Sequence, residues 1–173
     1  NPFLVNSVAS FSYDTDWHYQ NNHTLRKEVV QNILALQSGT GTRAQIAAAS
    51  QAAYDASVQV AAASADYAAY ETTISIQYPQ FPGSTSLTGM GRRLRDIALL
   101  TYAGFETRVF YTGLGGFDTH SDQPARHAEL LLELDEALGV FIQDMITQGV
   151  WNDVVVVVIS EFGRRKYENG STG

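Results

Sequence analysis

Two short stretches combine carboxylates, an imidazole and guanidinium groups at spacings that suit metal chemistry. Asp118 and His120 stand two residues apart in the Gly-rich stretch 115–120, and Glu161 follows a β-branched run further along the chain. If the backbone between Asp118 and His120 is extended, both side chains share a face and can reach one ion. Two carboxylates with one imidazole suit Zn²⁺, Mn²⁺ or Fe, and suit Mg²⁺ or Ca²⁺ less well. The residue types therefore predict a divalent-metal site, although its metal is left open.

Each of these residues also has a purely structural interpretation. Asp118 suits an Asx-turn, and His120 suits a surface loop. The guanidinium forks of Arg164 and Arg165 suit bidentate binding of phosphate or sulfate oxygens. An ion pair between these arginines and Glu161 or Glu168 explains the same residues without a substrate. The sequence predicts a substrate role for both arginines and leaves the ion pair open, and it identifies no catalytic nucleophile.

Other polar residues near these stretches carry weaker signals. Asp122 is either a further ligand, a partner that orients an imidazole, or a helix cap. Ser160 lacks a Gly-x-Ser-x-Gly context and is expected in a turn or cap. His127 is expected on a helix surface. His18 and His23 lie in a mixed aromatic segment without ligand spacing.

The surrounding pattern predicts how the two stretches come together. Residues 107–111 and the β-branched run 154–159 both have the composition of strands, and a wide apolar helical face lies between them. A strand–helix–strand crossover places its strands parallel, with their carboxyl ends at one edge of the sheet, where ligands bind. We therefore expect an α/β domain in which 87–165 forms a helix plus a βαβ core.

The sequence of the first half of the chain predicts helices. Residues 25–37 have apolar side chains at helical spacing, and 42–72 are Ala-rich without Gly or Pro. Together, 24–72 predict a helical hairpin inserted into the domain, with its Ala-rich helices available for an oligomer or protein partner. Leu87–Ala103 predicts a further helix that ends at Gly104.

Composition limits the classes of function. The 173 residues carry a net charge of −7, which argues against nucleic acid or an anionic membrane surface as a partner. The chain has no cysteine, so disulfides and thiolate metal sites are excluded. No apolar run approaches the roughly 18 residues of a transmembrane helix. Because the first residue is Asn1, we expect a processed product or a fragment of a larger domain.

Four motif blocks resemble a known family. From Leu87 onward, the chain is similar to the domain of unknown function 1501 family of exported bacterial proteins. The blocks are Leu-Gly-Gly-Phe-Asp-Thr-His-Ser-Asp-Gln at 114–123, Leu-Leu-Glu-Leu-Asp-Glu-Ala-Leu at 131–138, Ile-Ser-Glu-Phe-Gly-Arg-Arg at 159–165 and Glu-Asn-Gly-Ser at 168–171. They occur in the family's order, which makes the resemblance specific.

That resemblance implies a fold and a location. The family is similar to the alkaline phosphatase and sulfatase superfamily, which implies a parallel sheet flanked by helices and metal ligands at Asp118, His120 and Glu161. Glu161 takes the place of an aspartate, and Phe162 stands where a histidine would be. A Thr-Asp-His-Gly motif is expected beyond Gly173. Twin-arginine export, common in the family, implies a periplasmic or cell-surface location.

Three functions follow as expectations. The first is a metal-dependent hydrolase of phosphate or sulfate esters, exported and incomplete as this chain, using Zn, Mn, Fe, Mg or Ca. The second is a non-catalytic exported scaffold or binding protein on a hydrolase-like fold. The third is a structural Ca²⁺ site in the acidic loop.

Overall fold

The computed structural model describes residues 40–172 together with residues 28, 29 and 32, and this part of the chain is mostly helical. Three α-helices are followed by a short 3₁₀ turn. They are α1 (Thr42–Ile74), α2 (Gly89–Tyr102), α3 (Gln123–Thr147) and the turn Trp151–Asp153. The chain divides after Ala68, within α1, into two compact units.

The Ala-rich stretch forms α1, which confirms the prediction of one long helix. Alanine has the highest helix propensity, so composition alone favours this state. Ser75 ends the helix in a left-handed conformation with φ of 56°. The N–H of Ile76 then donates to the carbonyl of Glu71 at 3.2 Å, closing the last turn.

The first arm of the expected hairpin lies almost wholly outside the described residues. Positions 28, 29 and 32 are helical, within the predicted helix 25–37. The hairpin at 24–72, its status as an insertion and its role in partner binding therefore stay predictions.

Helix α2 confirms the helix predicted at Leu87–Ala103. Thr88 caps its start, because the Thr88 hydroxyl accepts a hydrogen bond from the N–H of Gly91 at 3.1 Å. Gly104 follows its end with φ of 71°, a conformation that glycine adopts without strain. Tyr102, near the end of α2, is 42 % exposed.

Helices α2 and α3 pack against each other and form the core of the second unit. Apolar side chains recur at helical spacing on both, so each helix buries one stripe. The buried apolar residues are Met90, Leu94, Ala98 and Leu99 of α2, with Leu130, Ala137, Phe141 and Met145 of α3. Gly149 follows α3 with φ of 78°.

A buried carboxylate ties the end of α1 to this helix pair. Asp144 of α3 is fully buried and accepts hydrogen bonds from the hydroxyls of Tyr78 at 2.9 Å and Tyr70 at 3.1 Å. The Gln148 side-chain amide also donates to Asp144, at 3.0 Å. The Tyr70 ring lies 4.6 Å from the ring of Tyr102. These donors compensate for the cost of burying the carboxylate.

The two predicted strands do not form a sheet. Residues 107–111 and 154–159 belong to neither helix nor strand, and the described residues contain no sheet, only a single antiparallel bridge between Gln80 and Leu87. Val109 and Val155 are 84 % and 87 % exposed. In the part of the chain that the structure describes, residues 155–160 make no backbone–backbone hydrogen bond.

The expected α/β fold is therefore wrong for this structure, including the parallel sheet flanked by helices and the βαβ core in 87–165. The expectation of a hydrolase-like, metal-binding α/β architecture is corrected with it. A strand buried on both faces needs neighbouring strands and two covering layers. Here the apolar stripes of α2 and α3 cover each other, and no described segment pairs with the β-branched run.

Candidate functional site

The loop before α3 is held from two sides. The Arg93 guanidinium of α2 donates to the carbonyl of Gly113 at 2.5 Å. The Phe117 ring meets the His127 ring edge-on at 5.7 Å between centroids. Gly116 has φ of 99°, and a Cβ there would lie 3.5 Å from Leu130. The Arg93 hydrogen bond ties the loop to α2, and the Phe117–His127 ring contact ties it to α3, which makes His127 a packing residue.

Backbone carbonyls of residues 171 and 172 cap the start of α3. The N–H of Asp122 donates to the carbonyl of Ser171 at 3.2 Å, and that of Gln123 donates to the carbonyl of Thr172 at 2.9 Å. Asp122 is left-handed, with φ of 49°, and its side chain makes no capping hydrogen bond. The backbone carbonyls of 171–172 thus satisfy the first N–H groups of α3, and Asp122 does not act as a side-chain cap.

Arg164 joins the two motif stretches. Its guanidinium donates to Asp118 Oδ1 at 3.2 Å and to Gln123 Oε1 at 3.1 Å. It also donates to the carbonyl of Thr119. Asn169 adds a further link, from its amide to the carbonyl of His120 at 3.0 Å. We call residues 118–123 and 164–172, joined in this way, the loop cluster.

Asp118 and His120 lie side by side within the loop cluster. Asp118 Oδ2 is 3.5 Å from His120 Nε2, and the two side chains are 68 % and 85 % exposed. Ligand–metal distances of about 2.1 Å in a tetrahedral arrangement place neighbouring donor atoms of one ion roughly 3.4 Å apart. The pair therefore fits two positions of an open cation site. Asp118 Oδ1 is turned to Arg164, so each oxygen faces a different partner.

The third expected ligand does not join them. Of the described residues, no three His, Asp or Glu side chains lie close enough to hold one ion, so Glu161 is not grouped with Asp118 and His120. The Ser160 hydroxyl donates to the carbonyl of Phe162 at 2.5 Å, which is the expected turn role. Arg165 is exposed and, within residues 40–172, has no hydrogen bond or ion pair.

The sequence did not predict several contacts of the loop cluster. Arg164 was expected to contact substrate, whereas its guanidinium is used by Asp118 and the neighbouring loop. Asn169 forms a local turn in which its Oδ1 accepts from the N–H of Ser171 at 2.8 Å. The Asn-Gly-Ser sequence predicts that turn, but nothing in it predicts docking on His120. The region of His18 and His23 lies outside the described residues.

Comparison with known proteins gives one match. The family described as "Protein of unknown function (DUF1501)" matches residues 15–173. The chain belongs to this family. The match extends far upstream of the motif blocks, which begin at Leu114, and it includes the Ala-rich helix. No curated protein and no solved structure matches the chain.

The described helices were also compared with the requirements for crossing a bilayer. Helix α1 is long enough, but none of the helices in the described ranges is both long and apolar enough to span a membrane.

Proposed function

We propose that this DUF1501 protein is a metal-dependent hydrolase of phosphate or sulfate esters, with Asp118 and His120 as ligands of its divalent cation. The observation that carries the proposal is the 3.5 Å separation of Asp118 Oδ2 and His120 Nε2 on an exposed loop. Imidazole and carboxylate together suit Zn²⁺, Mn²⁺ or Fe. A cation there would supply Lewis-acid polarisation of an ester oxygen or a water of lowered pKa.

The neighbouring side chains would have distinct duties. Arg164 fixes the Asp118 carboxylate by taking Oδ1, which leaves Oδ2 for a second partner. His120 can bind a cation only through an unprotonated Nε2, so its neutral form is the competent one. Arg165, exposed and without a partner in the described range, is available to a substrate anion. Arg164 is therefore a positioning residue, and Arg165 is the candidate for substrate contact.

An assay with and without metal tests this function. The purified chain is treated with EDTA, reloaded with Mn²⁺ or Zn²⁺, and given p-nitrophenyl phosphate and p-nitrophenyl sulfate. We expect metal-dependent turnover of one ester, which Asp118→Asn and His120→Gln each lower at least about tenfold. Asp135→Asn on the exposed side of α3 is the matched control and should retain the activity. Turnover that survives in both loop variants would refute the assignment.

A second function, a non-catalytic scaffold or binding protein, is favoured by a different observation. The β-branched residues of 154–159 are largely exposed, and exposed apolar segments of this kind mark interaction sites. If the chain hydrolyses neither ester, with or without added metal, and the intact chain forms a stable complex, the scaffold function would be favoured.

Export to the periplasm or the cell surface is part of the proposal. It rests on the family's resemblance to exported proteins. Fractionation of the native cell, followed by immunodetection, tests it. Recovery of the protein only with the cytoplasmic fraction would contradict export.

A further inference from the structure

Asn169 and Gly170, within the loop cluster, have the chemistry and the exposure of a site that modifies itself. An asparagine side chain can be attacked by the backbone nitrogen of the next residue, and a following glycine leaves that nitrogen unobstructed because it carries no Cβ. Both residues are exposed. Among the described residues, a Cβ built on Gly170 would meet no heavy atom within 4 Å apart from those of its chain neighbours. Solvent therefore has access to this peptide unit.

The hydrogen bonds of the Asn169 side chain prepare it for that attack. Its Oδ1 accepts from the N–H of Ser171 at 2.8 Å. The ring that this bond closes contains both Asn169 Cγ and the Gly170 nitrogen, so one tight turn holds the two reacting atoms. A hydrogen bond donated to Oδ1 also stabilises the negative charge that develops there when Cγ is attacked. Within the described range, the Gly170 N–H donates no backbone–backbone hydrogen bond.

We infer that Asn169 deamidates in the folded chain and that this change releases residues 169–172 from the loop before α3. The Gly170 nitrogen gives its proton to solvent and bonds to Asn169 Cγ. The Cγ–Nδ2 bond then breaks, and the amide nitrogen leaves as ammonia with a proton from water. One water molecule opens one C–N bond of the resulting succinimide, which gives aspartate or isoaspartate. The sum consumes one water and releases one ammonia, with no oxidation or reduction.

The product cannot keep the contacts that the amide makes. Asn169 Nδ2 donates to the carbonyl of His120 at 3.0 Å, whereas a carboxylate has no donor, so two acceptors would face each other. The carboxylate also adds one negative charge to a chain of net charge −7. Isoaspartate further adds a methylene to the backbone, which displaces the carbonyls of Ser171 and Thr172 from the N–H groups that they cap. Both products therefore weaken the link between 169–172 and α3.

Peptide mapping of the full chain during incubation in neutral buffer tests the modification. Digests are analysed by mass spectrometry with electron-transfer fragmentation, which distinguishes aspartate from isoaspartate. We expect both products at Asn169, whereas Asn152, equally in the exposed class but followed by Asp153, should keep its amide. Gly170→Ala has open space for its Cβ and should slow the reaction severalfold. An Asn169 amide that outlasts that of Asn152, or a Gly170→Ala chain that reacts as fast as wild type, would overturn the inference.

Hydrogen–deuterium exchange tests the release. Incubated wild type, with its helical circular dichroism intact, should show faster amide exchange at 118–123 than fresh protein does. Asn169→Asp should show the same increase without incubation. Asn152→Asp, which adds the same charge outside the loop cluster, is the matched control and should leave that exchange unchanged. Unchanged exchange at 118–123 in Asn169→Asp would overturn the inferred release. Neither measurement uses a cation or an ester, so its failure is distinguishable from failure of the proposed hydrolase function.

Discussion

Arg164 donates to Asp118 across 46 residues of sequence, with 3.2 Å between Nη1 and Oδ1. This contact connects the two stretches that the sequence singled out. It orients the carboxylate that faces His120, and the same guanidinium holds the neighbouring loop. An exposed ion pair alone stabilises little, so its value lies in the position it imposes.

Arg164→Ala should loosen the loop cluster without unfolding the helices. Three acceptors lose their donor, and residues 118–123 lose their side-chain link to Arg164, although the hydrogen bonds from Asn169 and to 171–172 remain. We expect faster amide exchange in both ranges, with a loss of global stability of no more than about 1 kcal/mol. Hydrogen–deuterium exchange mass spectrometry measures this. Arg126→Ala, which removes an exposed pair with Glu129, is the control, and equal exchange in the two variants would contradict the prediction.

Asp144→Asn should destabilise the second unit. The replacement amide nitrogen would face hydroxyl and amide donors where the carboxylate accepts three hydrogen bonds. Leaving buried groups poorly paired costs about 1–3 kcal/mol. Urea unfolding measures the loss, and Asp135→Asn on the exposed side of the same helix should cost almost nothing. Equal stabilities of the two variants would show that the buried network is unimportant.

The free energy of unfolding should fall at alkaline pH because of the hydroxyl of Tyr70. Burial, followed by the charge of Asp144, its hydrogen bond and Tyr102, raises the pKa of Tyr70 well above its ordinary value. The unfolded chain releases this proton near pH 10, whereas the folded chain keeps it. The contribution is therefore fully present below about pH 10 and is lost as pH rises beyond it.

Tyr70→Phe removes that dependence. It should cost about 1 kcal/mol at neutral pH, through the lost hydrogen bond to Asp144, and should flatten the decline between about pH 9 and pH 11. Urea unfolding across this range measures both effects. Tyr111→Phe, at a position that is 91 % exposed, should keep the wild-type slope. A decline as steep in Tyr70→Phe as in wild type would refute the assignment.

Two glycine-to-alanine changes should shift the free energy of unfolding in opposite directions. A Cβ on Gly91 would lie 2.9 Å from the carbonyl oxygen of Pro79, which is backbone and cannot turn away. Gly91→Ala should therefore cost about 1–3 kcal/mol, as overpacking does. Gly139 within α3 has nothing within 4 Å of its ideal Cβ. Gly139→Ala should gain about 0.5–1 kcal/mol by helix propensity. Thermal unfolding of both variants measures these effects. A change in stability in the same direction for both variants would contradict the prediction.

Local composition predicted the helices well, for physical reasons that need no partner. The Ala-rich sequence of α1 favours a helix because alanine loses no side-chain entropy when a helix forms, and Gly104 and Gly149 mark ends that adopt positive φ. Asp118 and His120 share a loop, so their proximity was also predictable from spacing.

Long-range relationships were not predictable in the same way. The run 154–159 has the composition that a buried strand needs, but composition does not say whether the chain supplies neighbouring strands. Arg164 suits a phosphate as well as it suits Asp118, and only the folded loop cluster distinguishes the two. Glu161 follows the expected run and still stays apart from the other carboxylate, because the sheet edge that would have aligned them is missing.

Electron paramagnetic resonance of bound Mn²⁺ tests the central claim most directly. The chain is prepared with ¹⁵N-labelled histidine, and the ion's coupling to an imidazole nitrogen is recorded in wild type, Asp118→Asn and His120→Gln. We predict stoichiometric Mn²⁺ with one coupled imidazole nitrogen, a coupling lost in His120→Gln, and weaker binding in Asp118→Asn. Mn²⁺ binding and nitrogen coupling that are unchanged in both variants would contradict the assignment of Asp118 and His120 as ligands.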